Sequence, residues 1–166
     1  IICLHTEQDH SGSVQVLLDE WPDARVIVNE KVHDLIMTHI HLPDAAMDVV
    51  TEDDVLDLGG RTLRFYMIPF AHWPDNYMAY CPEEDILFSS DLFGAHYAVA
   101  EAAEQSDEVR MTAARSYYAE IMMPFRAQIA RHTARVRALN PGQIAPSHGP
   151  VWQKPGQILD AYEEWT

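Results

Sequence analysis

The sequence predicts a layered fold of the α/β or α+β class. Short segments rich in β-branched residues alternate with longer segments whose apolar residues recur at helical spacing, an alternation typical of helices packed on sheets. The chain has 166 residues, of which 48% are apolar, and is therefore long enough to form one domain with a sizeable core.

The first half of the chain is predicted to contain four strands and two helices. Ser11 or Ser13 can cap the first helix, and Pro22 ends it. The run Asp-Leu-Gly-Gly at residues 57–60 has the composition of a turn. The predicted strands cover residues 1–4, 25–29, 47–51 and 62–68, the predicted helices cover residues 14–21 and 30–37, and residues 5–13 form a polar loop.

The second half is predicted to begin with a hairpin and to be mainly helical after it. The hairpin strands cover residues 77–81 and 86–89. Between residues 106 and 139 the apolar residues follow a helical spacing, but Pro124 removes a backbone donor, so we expect two helices or one kinked helix. A short strand at residues 143–146, a loop at 147–150 and a helix at 155–165 complete the prediction.

The charge of the chain excludes several classes of partner. Acidic residues outnumber basic residues by 26 to 11, so the surface should repel nucleic acids and anionic membrane surfaces. The sequence contains no apolar run long enough to cross a bilayer, and its first residues lack the pattern of a signal peptide. Cys3 and Cys81 each lie in an apolar, strand-like run, which favours reduced thiols. We therefore expect a cytoplasmic protein.

The strongest functional signal is the loop His5-Thr6-Glu7-Gln8-Asp9-His10. It offers four side chains that can bind metals, at the point where a strand ends, which is where layered folds place their ligand sites. His5 and Glu7 are two residues apart and Asp9 and His10 are adjacent, so each pair can serve a different ion. A solvated polar loop is the alternative interpretation of this segment.

This loop resembles the His-x-His-x-Asp-His motif of the metallo-β-lactamase superfamily, with Glu7 in place of the second histidine. That replacement is the hallmark of the flavodiiron proteins. Three further motifs follow in order and carry the resemblance across essentially the whole chain: His72 in Phe-Ala-His-Trp-Pro-Asp, Asp91 in Phe-Ser-Ser-Asp-Leu-Phe-Gly, and His148 in Ala-Pro-Ser-His-Gly-Pro. The resemblance implies an αββα sandwich in which residues 1–166 form a partial di-iron domain, truncated at the N-terminus.

Transferred position by position, the resemblance implies a centre of two iron ions. The implied ligands are His5, Glu7 and His72 for one iron, Asp9, His10 and His148 for the other, and Asp91 as the bridge. In some members of the family the histidine at the position of His10 does not bind the metal. The residue types agree with iron, because a carboxylate in place of an imidazole adds a hard oxygen donor and favours iron or manganese over zinc.

The implied function is an oxidoreductase that reduces dioxygen to water, nitric oxide to nitrous oxide, or both. In the family the electrons arrive from FMN in a flavodoxin domain or from a rubredoxin-type donor, and the subunits form a head-to-tail homodimer. This chain has no glycine-rich or Ser/Thr-rich phosphate-binding loop, so we expect FMN on a domain or partner outside it. An O₂-binding di-iron sensor domain is the alternative, and a zinc hydrolase of the superfamily is a third possibility that Glu7 argues against.

The other histidines receive mainly structural interpretations. We expect His33 and His132 to face solvent. The segment His39-Ile40-His41 is expected to be a surface loop, because Pro43 stands where the superfamily motif has its aspartate. For His96 the two open possibilities are a hydrogen bond that orients a metal ligand and simple surface exposure.

Several large side chains near the motifs are also ambiguous. Trp73 and Tyr77 follow His72 and either shield the site from water or belong to the ordinary core. Four residues at helical spacing are expected in the core: Met122, Met123, Tyr117 and Tyr118.

Overall fold

The structure, a computed structural model, describes residues 1–97 and 106–166. The first fifty residues build a small parallel sheet with helices around it. Ile2 joins this sheet through a bridge to Ile27. The elements are helices α1 (Gln8–Ser11) and α2 (Val14–Glu20), strand β1 (Val26–Asn29), helix α3 (Glu30–His39), a 3₁₀ turn (Asp44–Ala46) and strand β2 (Met47–Val50), which pairs with β1 in parallel.

The second sheet has five strands in the order in which they occur in the chain. They are β3 (Val55–Asp57), β4 (Thr62–Met67), β5 (Tyr77–Cys81), β6 (Ile86–Phe88) and β7 (Gln143–Ala145). The first three pairings are antiparallel, whereas β7 runs parallel to β6. Because of this pattern β4, β6 and β7 all point in one direction, and their carboxyl ends lie at the same edge of the sheet.

The helices of the second half cover one face of the five-stranded sheet. Pro124 lies in a short 3₁₀ turn, which confirms the expected break in the helical segment. Asn140, in the left-handed conformation at φ 51°, ends the following helix. The elements are α4 (Asp107–Tyr117), a π-helical turn (Tyr118–Met122), a 3₁₀ turn (Met123–Phe125), α5 (Arg126–Leu139) and α6 (Pro155–Trp165).

The alternation of side chains along β5 divides the interior into two cores. Met78 packs with residues of α4, α5 and α6, such as Ile129 and Ile158. Tyr77 and Ala79 point the other way, toward β1 and the helices α2 and α3. The layers therefore run helix, sheet, sheet, helix, which confirms the expected αββα arrangement.

The sequence prediction differs from the structure mainly in short elements. Residues 1–4 were expected to be a strand but form only the single bridge at Ile2. The predicted loop 5–13 contains one helical turn, α1, in which Glu7 O accepts hydrogen bonds from the amides of His10 and Ser11. Strand β3 was not predicted, since its three residues are largely exposed and too few to show a period.

Two predictions of exposure or burial are wrong. His132 is buried instead of facing solvent, because it lies on the inner face of α5 and its Nε2 makes a hydrogen bond of 2.9 Å to the carbonyl of Pro69. Burial lowers the pKa of His132 despite this hydrogen bond. Met123 is half-exposed, because the 3₁₀ turn at Pro124 rotates it out of the core, whereas Met122 is fully buried as expected.

The structure agrees with most of the other expectations for cysteines, histidines and membrane-spanning segments. Cys3 and Cys81 are buried free thiols. His39 and His41 are exposed. His33 is partly buried, and its Nε2 lies 2.7 Å from Asp44 Oδ1. Within residues 1–97 and 106–166, no helix combines the length and the apolar character needed to span a membrane.

The two-core architecture predicts that side chains between the sheets dominate stability. Phe65 is fully buried there, so Phe65→Ala should lower the free energy of unfolding in urea by about 3–5 kcal/mol. Val55 on β3 is 55% exposed, and Val55→Ala should change the same quantity by no more than about 0.5 kcal/mol. Equal losses for the two variants would contradict the assignment of the core.

Candidate metal centre

The predicted metal ligands lie on loops that converge at one edge of the five-stranded sheet. His72 follows β4, Asp91 follows β6 and His148 follows β7, and these three strands share their direction. The loop that begins at His5 follows the residues that bridge to β1. The carboxyl ends of parallel strands are the usual location of ligand sites in layered folds, and the topology thus gathers residues that are far apart in sequence.

The backbone around these residues is held in sparsely populated conformations. Phe70, His72, Ser90 and Phe93 have left-handed φ values of 63°, 73°, 53° and 70°. Each such residue costs on the order of 1 kcal/mol and persists only where its surroundings fix it. The Ser147 amide, which donates to the Ser90 carbonyl at 2.7 Å, is one such constraint and ties the Asp91 loop to the His148 loop.

The first group of donor atoms comes from His5, Glu7, His72 and Asp91, whose ligand atoms lie within 4.8 Å of one another. Glu7 Oε2 is 3.3 Å from His5 Nε2 and 3.0 Å from His72 Nε2. Asp91 Oδ2 is 3.9 Å from the same His5 nitrogen. The His72 Nδ1 proton is directed at the Ala71 carbonyl at 2.7 Å, so Nε2 presents its lone pair to the group.

The second group comes from Asp9, His10 and His148, also within 4.8 Å. Asp9 Oδ2 is 3.2 Å from His148 Nε2 and 3.5 Å from His10 Nε2. Asp91 contributes its other oxygen here, because Oδ1 lies 3.1 Å from His10 Nε2 and 3.7 Å from His148 Nε2. The structure therefore brings all seven predicted residues together and directs one Asp91 oxygen to each group.

The polar atoms at the centre of this arrangement have unmet bonding capacity. Asp91 is buried, and neither its Oδ1 nor His10 Nε2 has a hydrogen-bond partner among the described residues, although the two atoms are 3.1 Å apart. Buried polar atoms without partners are rare and costly in native proteins. A cation between them would satisfy both.

The spacing of the donor atoms fits metal ions of the size of iron or zinc. Two ligands at about 2.1 Å from one ion, with angles of about 90–110°, lie roughly 3.0–3.4 Å apart. The separations between Glu7 and its two histidines are 3.0 and 3.3 Å, and those between Asp9 and its two histidines are 3.2 and 3.5 Å. The residues present thus fit two adjacent ions that share Asp91.

The electrostatics of the centre favour ionised carboxylates. Burial raises the pKa of Asp91, but the interactions with His10, His5 and His72 outweigh it and leave that pKa below its usual value. Burial lowers the pKa of His10, because it also disfavours the charged imidazolium. The negative charges of Asp91, Asp9 and Glu7 outweigh this effect and leave the pKa of His10 above its usual value. Both shifts show that the negative charges here attract positive charge.

Aromatic side chains surround the four imidazoles. The Trp73 ring lies 5.1 Å from the His5 ring, and Trp73 is partly exposed, so it forms a wall of the site. Tyr77, the other candidate for that role, is a core residue whose hydroxyl donates to the Ile27 carbonyl. His96 is exposed, but its ring still packs at 5.2 Å from His148. Tyr117 is buried at 4.6 Å from His96.

Sequence reasoning missed Asp75. This residue is fully buried, and both of its carboxylate oxygens lie within 3.1 Å of His5 Nδ1. Burial raises its pKa, but the hydrogen bonds from His5 and Thr6 more than reverse this and lower it. The available signal was an aspartate two residues before the apolar strand β5, where a charged residue has no obvious reason to be buried.

Comparisons with known proteins agree with this geometry. The sequence profile described as the ODP family beta lactamase matches residues 1–149. Over the whole chain, 36% of residues are identical to a nitric oxide reductase of Moorella thermoacetica and 37% to an anaerobic nitric oxide reductase flavorubredoxin of Aliivibrio fischeri, of which the chain covers 43% and 35%.

Solved structures give the same result. A flavodiiron protein from Giardia intestinalis superposes with a TM-score of 0.91 at 31% identity, covering 99% of this chain and 41% of that one. Rubredoxin oxygen:oxidoreductase from Desulfovibrio gigas gives a TM-score of 0.89 at 28% identity, covering 98% and 42%. The chain therefore spans less than half the length of each of these four proteins.

The backbone at Gly149, directly after His148, should tolerate no side chain. Its φ is 85°, and an added Cβ would lie 2.8 Å from the Cβ and the carbonyl oxygen of Ala95. Gly149→Ala should lower the free energy of unfolding by at least about 1–2 kcal/mol and reduce zinc binding by the Asp9, His10 and His148 group. The measurements are urea unfolding of the metal-free protein and a zinc titration.

Gly156 in α6 provides the matched control. An added Cβ there meets nothing within 4 Å, so Gly156→Ala should stabilise the protein by up to about 1 kcal/mol and leave zinc binding unchanged. Unchanged stability and zinc binding in Gly149→Ala would contradict the role given to this loop.

Proposed function

Because this chain belongs to the ODP family of beta-lactamase domains, we propose that it is the di-iron domain of an oxidoreductase that reduces dioxygen to water, nitric oxide to nitrous oxide, or both. The observation that carries the proposal is Asp91, which directs one carboxylate oxygen to each of two groups of donor atoms. A single buried carboxylate in this position is suited to bridging two ions.

The ligands follow from the two groups. His5, Glu7 and His72 would hold one iron, Asp9, His10 and His148 the other, and Asp91 both. The position of His10, 3.1 Å from Asp91, supports its inclusion as a ligand. When bound, the ferrous pair supplies two electrons, which suffice to couple two nitric oxide molecules, whereas reduction of dioxygen to water takes four.

Individual side chains then determine which metal and which substrates the site accepts. Glu7 places a hard carboxylate between two imidazoles and so favours iron over zinc, which argues against a zinc hydrolase. Glu7 and Asp9 are partly exposed on the open side of the site, while His5 and Asp91 form its buried base. A small molecule can therefore enter from the Glu7 and Asp9 side, and Trp73 excludes water from the flank beside His5.

We propose that the electrons come from a donor outside these residues. The names nitric oxide reductase and rubredoxin oxygen:oxidoreductase support nitric oxide or dioxygen as the substrate. The names flavorubredoxin and rubredoxin oxygen:oxidoreductase support a flavin or a rubredoxin-type protein as the donor. We propose that FMN is carried by another domain or partner and reaches this site in a head-to-tail homodimer.

A single-turnover experiment tests the proposed function. The protein is reconstituted anaerobically with ferrous iron and mixed with dioxygen or nitric oxide in a stopped-flow instrument. We expect two irons per chain, and oxidation of both within one turnover, seen as the absorption of a diferric centre. A colourless protein that reacts with neither gas would contradict the proposal, and a stable dioxygen complex without oxidation would identify a sensor instead.

Replacing the bridge should abolish this reaction. Asp91→Asn keeps one oxygen for one group, but it replaces the other oxygen by an amide nitrogen that cannot bind the second ion, and it removes the shared negative charge. The loss of iron affinity should therefore exceed the roughly 10–100-fold loss that is typical when a residue behind a metal ligand is changed. Asp19→Asn makes the same chemical change on the exposed face of α2 and should behave like the wild type. Iron content after gel filtration, together with the diferric absorption, is the measurement.

The choice of metal should depend on Glu7. Glu7→His gives the first group three imidazoles beside Asp91, so we expect the ratio of zinc to iron affinity to rise roughly tenfold, equivalent to about 1.4 kcal/mol. Glu20→His, on the exposed end of α2, controls for an added histidine. Competition titrations with a chromophoric chelator give both affinities, and an unchanged ratio would show that Glu7 does not set the preference.

A further inference from the structure

We infer that Asp75 is a positioning residue for the centre: its carboxylate fixes the proton of His5 on Nδ1 and thereby turns the Nε2 lone pair toward Glu7, His72 and Asp91. The inference rests on the proposed metal-binding function of these residues. It concerns the apo state of the site as much as the loaded state, and it assigns a role to a residue that is not itself a ligand.

The position of the His5 proton follows from the two ends of its ring. Nδ1 lies 3.1 and 3.0 Å from the two oxygens of Asp75, both fully buried. An ionised carboxylate can only accept hydrogen bonds, so Nδ1 must carry the proton. In a neutral imidazole the other nitrogen then has the lone pair, and Nε2 faces Glu7 at 3.3 Å.

Asp75 is itself held rigidly. Its Oδ2 accepts hydrogen bonds from the Thr6 amide at 2.8 Å and from the Thr6 hydroxyl at 2.7 Å. Its carbonyl oxygen accepts from the side-chain amide of Asn29, the last residue of β1, at 2.7 Å. The carboxylate is therefore fixed between the loop that carries His5 and the end of β1, and it cannot rotate away from the ring without breaking these bonds.

The negative charge of Asp75 determines the tautomer of His5, because a neighbouring amide favours the opposite tautomer. Asn76 Nδ2 also lies near His5 Nδ1, at 3.2 Å, and its orientation is set by Ser90, whose hydroxyl donates to Asn76 Oδ1 at 2.9 Å. This amide would donate to an unprotonated Nδ1 and drive the proton to Nε2. The carboxylate, closer and ionised, opposes it, because charge-assisted hydrogen bonds are the stronger ones.

The same contacts connect His5 to the bridging carboxylate. Thr6 and Asp75 hold the His5 ring by buried hydrogen bonds, and the Asn76 amide, which Ser90 orients, lies 3.2 Å from the same His5 Nδ1. Ser90 directly precedes Asp91, so these contacts extend to the Asp91 loop. Such outer partners orient metal ligands and set their basicity. The contact with His5 explains why a charged residue is buried at a position that no ion needs to contact.

Asp75→Asn separates this role from simple packing. The variant keeps the size of the side chain, and the two Thr6 donors hold its remaining oxygen at the Oδ2 position. The new amide nitrogen then takes the Oδ1 position, 3.1 Å from His5 Nδ1. The remaining oxygen is 3.0 Å from His5 Nδ1, but it is uncharged and already accepts from both Thr6 donors, so it binds a proton on Nδ1 much less strongly than the carboxylate does. With two amide donors also directed at Nδ1, the proton should move to Nε2, where it blocks the lone pair.

The test is a measurement of the His5 tautomer by ¹⁵N NMR in the metal-free protein at about pH 8.5, above the usual range of imidazole titration. The His5 signal is assigned by its loss in His5→Gln. We expect the Nδ1–H tautomer in the wild type and the Nε2–H tautomer in Asp75→Asn. An Nε2–H tautomer in the wild type would overturn the inference. Because this measurement uses the wild-type protein, it does not depend on whether any Asp75 variant folds.

Zinc affinity provides the second measurement and keeps the inference separate from the redox function. Asp75→Asn should bind zinc about 10–100-fold more weakly than the wild type, while Asp57→Asn, the same change at the exposed end of β3, should bind it normally. Wild-type affinity in Asp75→Asn would overturn the inference. If the zinc and NMR results hold but the iron-loaded protein reduces neither gas, the proposed function fails and the role of Asp75 stands.

Discussion

The structure depends on one buried carboxylate that is shared between two groups of imidazole and carboxylate donors. Asp91 is almost fully buried, with His5 and His72 on the side of one oxygen and His10 and His148 on the side of the other. A buried charge costs several kcal/mol unless other charges and hydrogen bonds compensate it. Here part of that compensation is left open, since Asp91 Oδ1 has no hydrogen-bond partner within the described residues. Two cations would compensate the charge of Asp91, and the surrounding loops are arranged so that their donor atoms can bind these cations.

Strand direction and strained backbone conformations position these loops. Strands β4, β6 and β7 end at one edge, and the loop after each strand carries one proposed ligand. His72 and residues close to these ligands have left-handed conformations that cost free energy. The hydrogen bonds among Thr6, Asp75 and His5 then fix the orientation of the His5 side chain, which the backbone alone leaves free. The proposed ligands and the residues behind them are thus parts of one preorganised unit.

The sequence predicted the parts of this unit that have local signals. His5, Glu7, Asp9 and His10 are close together in the chain, and the layered fold followed from alternating strand and helix patterns, so both could be predicted. Pro124 marked its helix break because proline has a direct backbone effect. The burial of Asp75 and His132 was missed, because each depends on a partner supplied by tertiary structure: the His5 ring for one and the Pro69 carbonyl, 63 residues away, for the other. Strand β3 was missed because an exposed strand of three residues carries no periodic pattern.

The central claim is that Asp91 lies between two metal ions, and the most direct measurement is anomalous X-ray diffraction at the iron edge from crystals grown anaerobically with ferrous iron. The account predicts two peaks of similar height, separated by roughly 3.5 Å as in other bimetallic sites, one beside each Asp91 oxygen. A single peak, or two peaks that do not share Asp91, would contradict it.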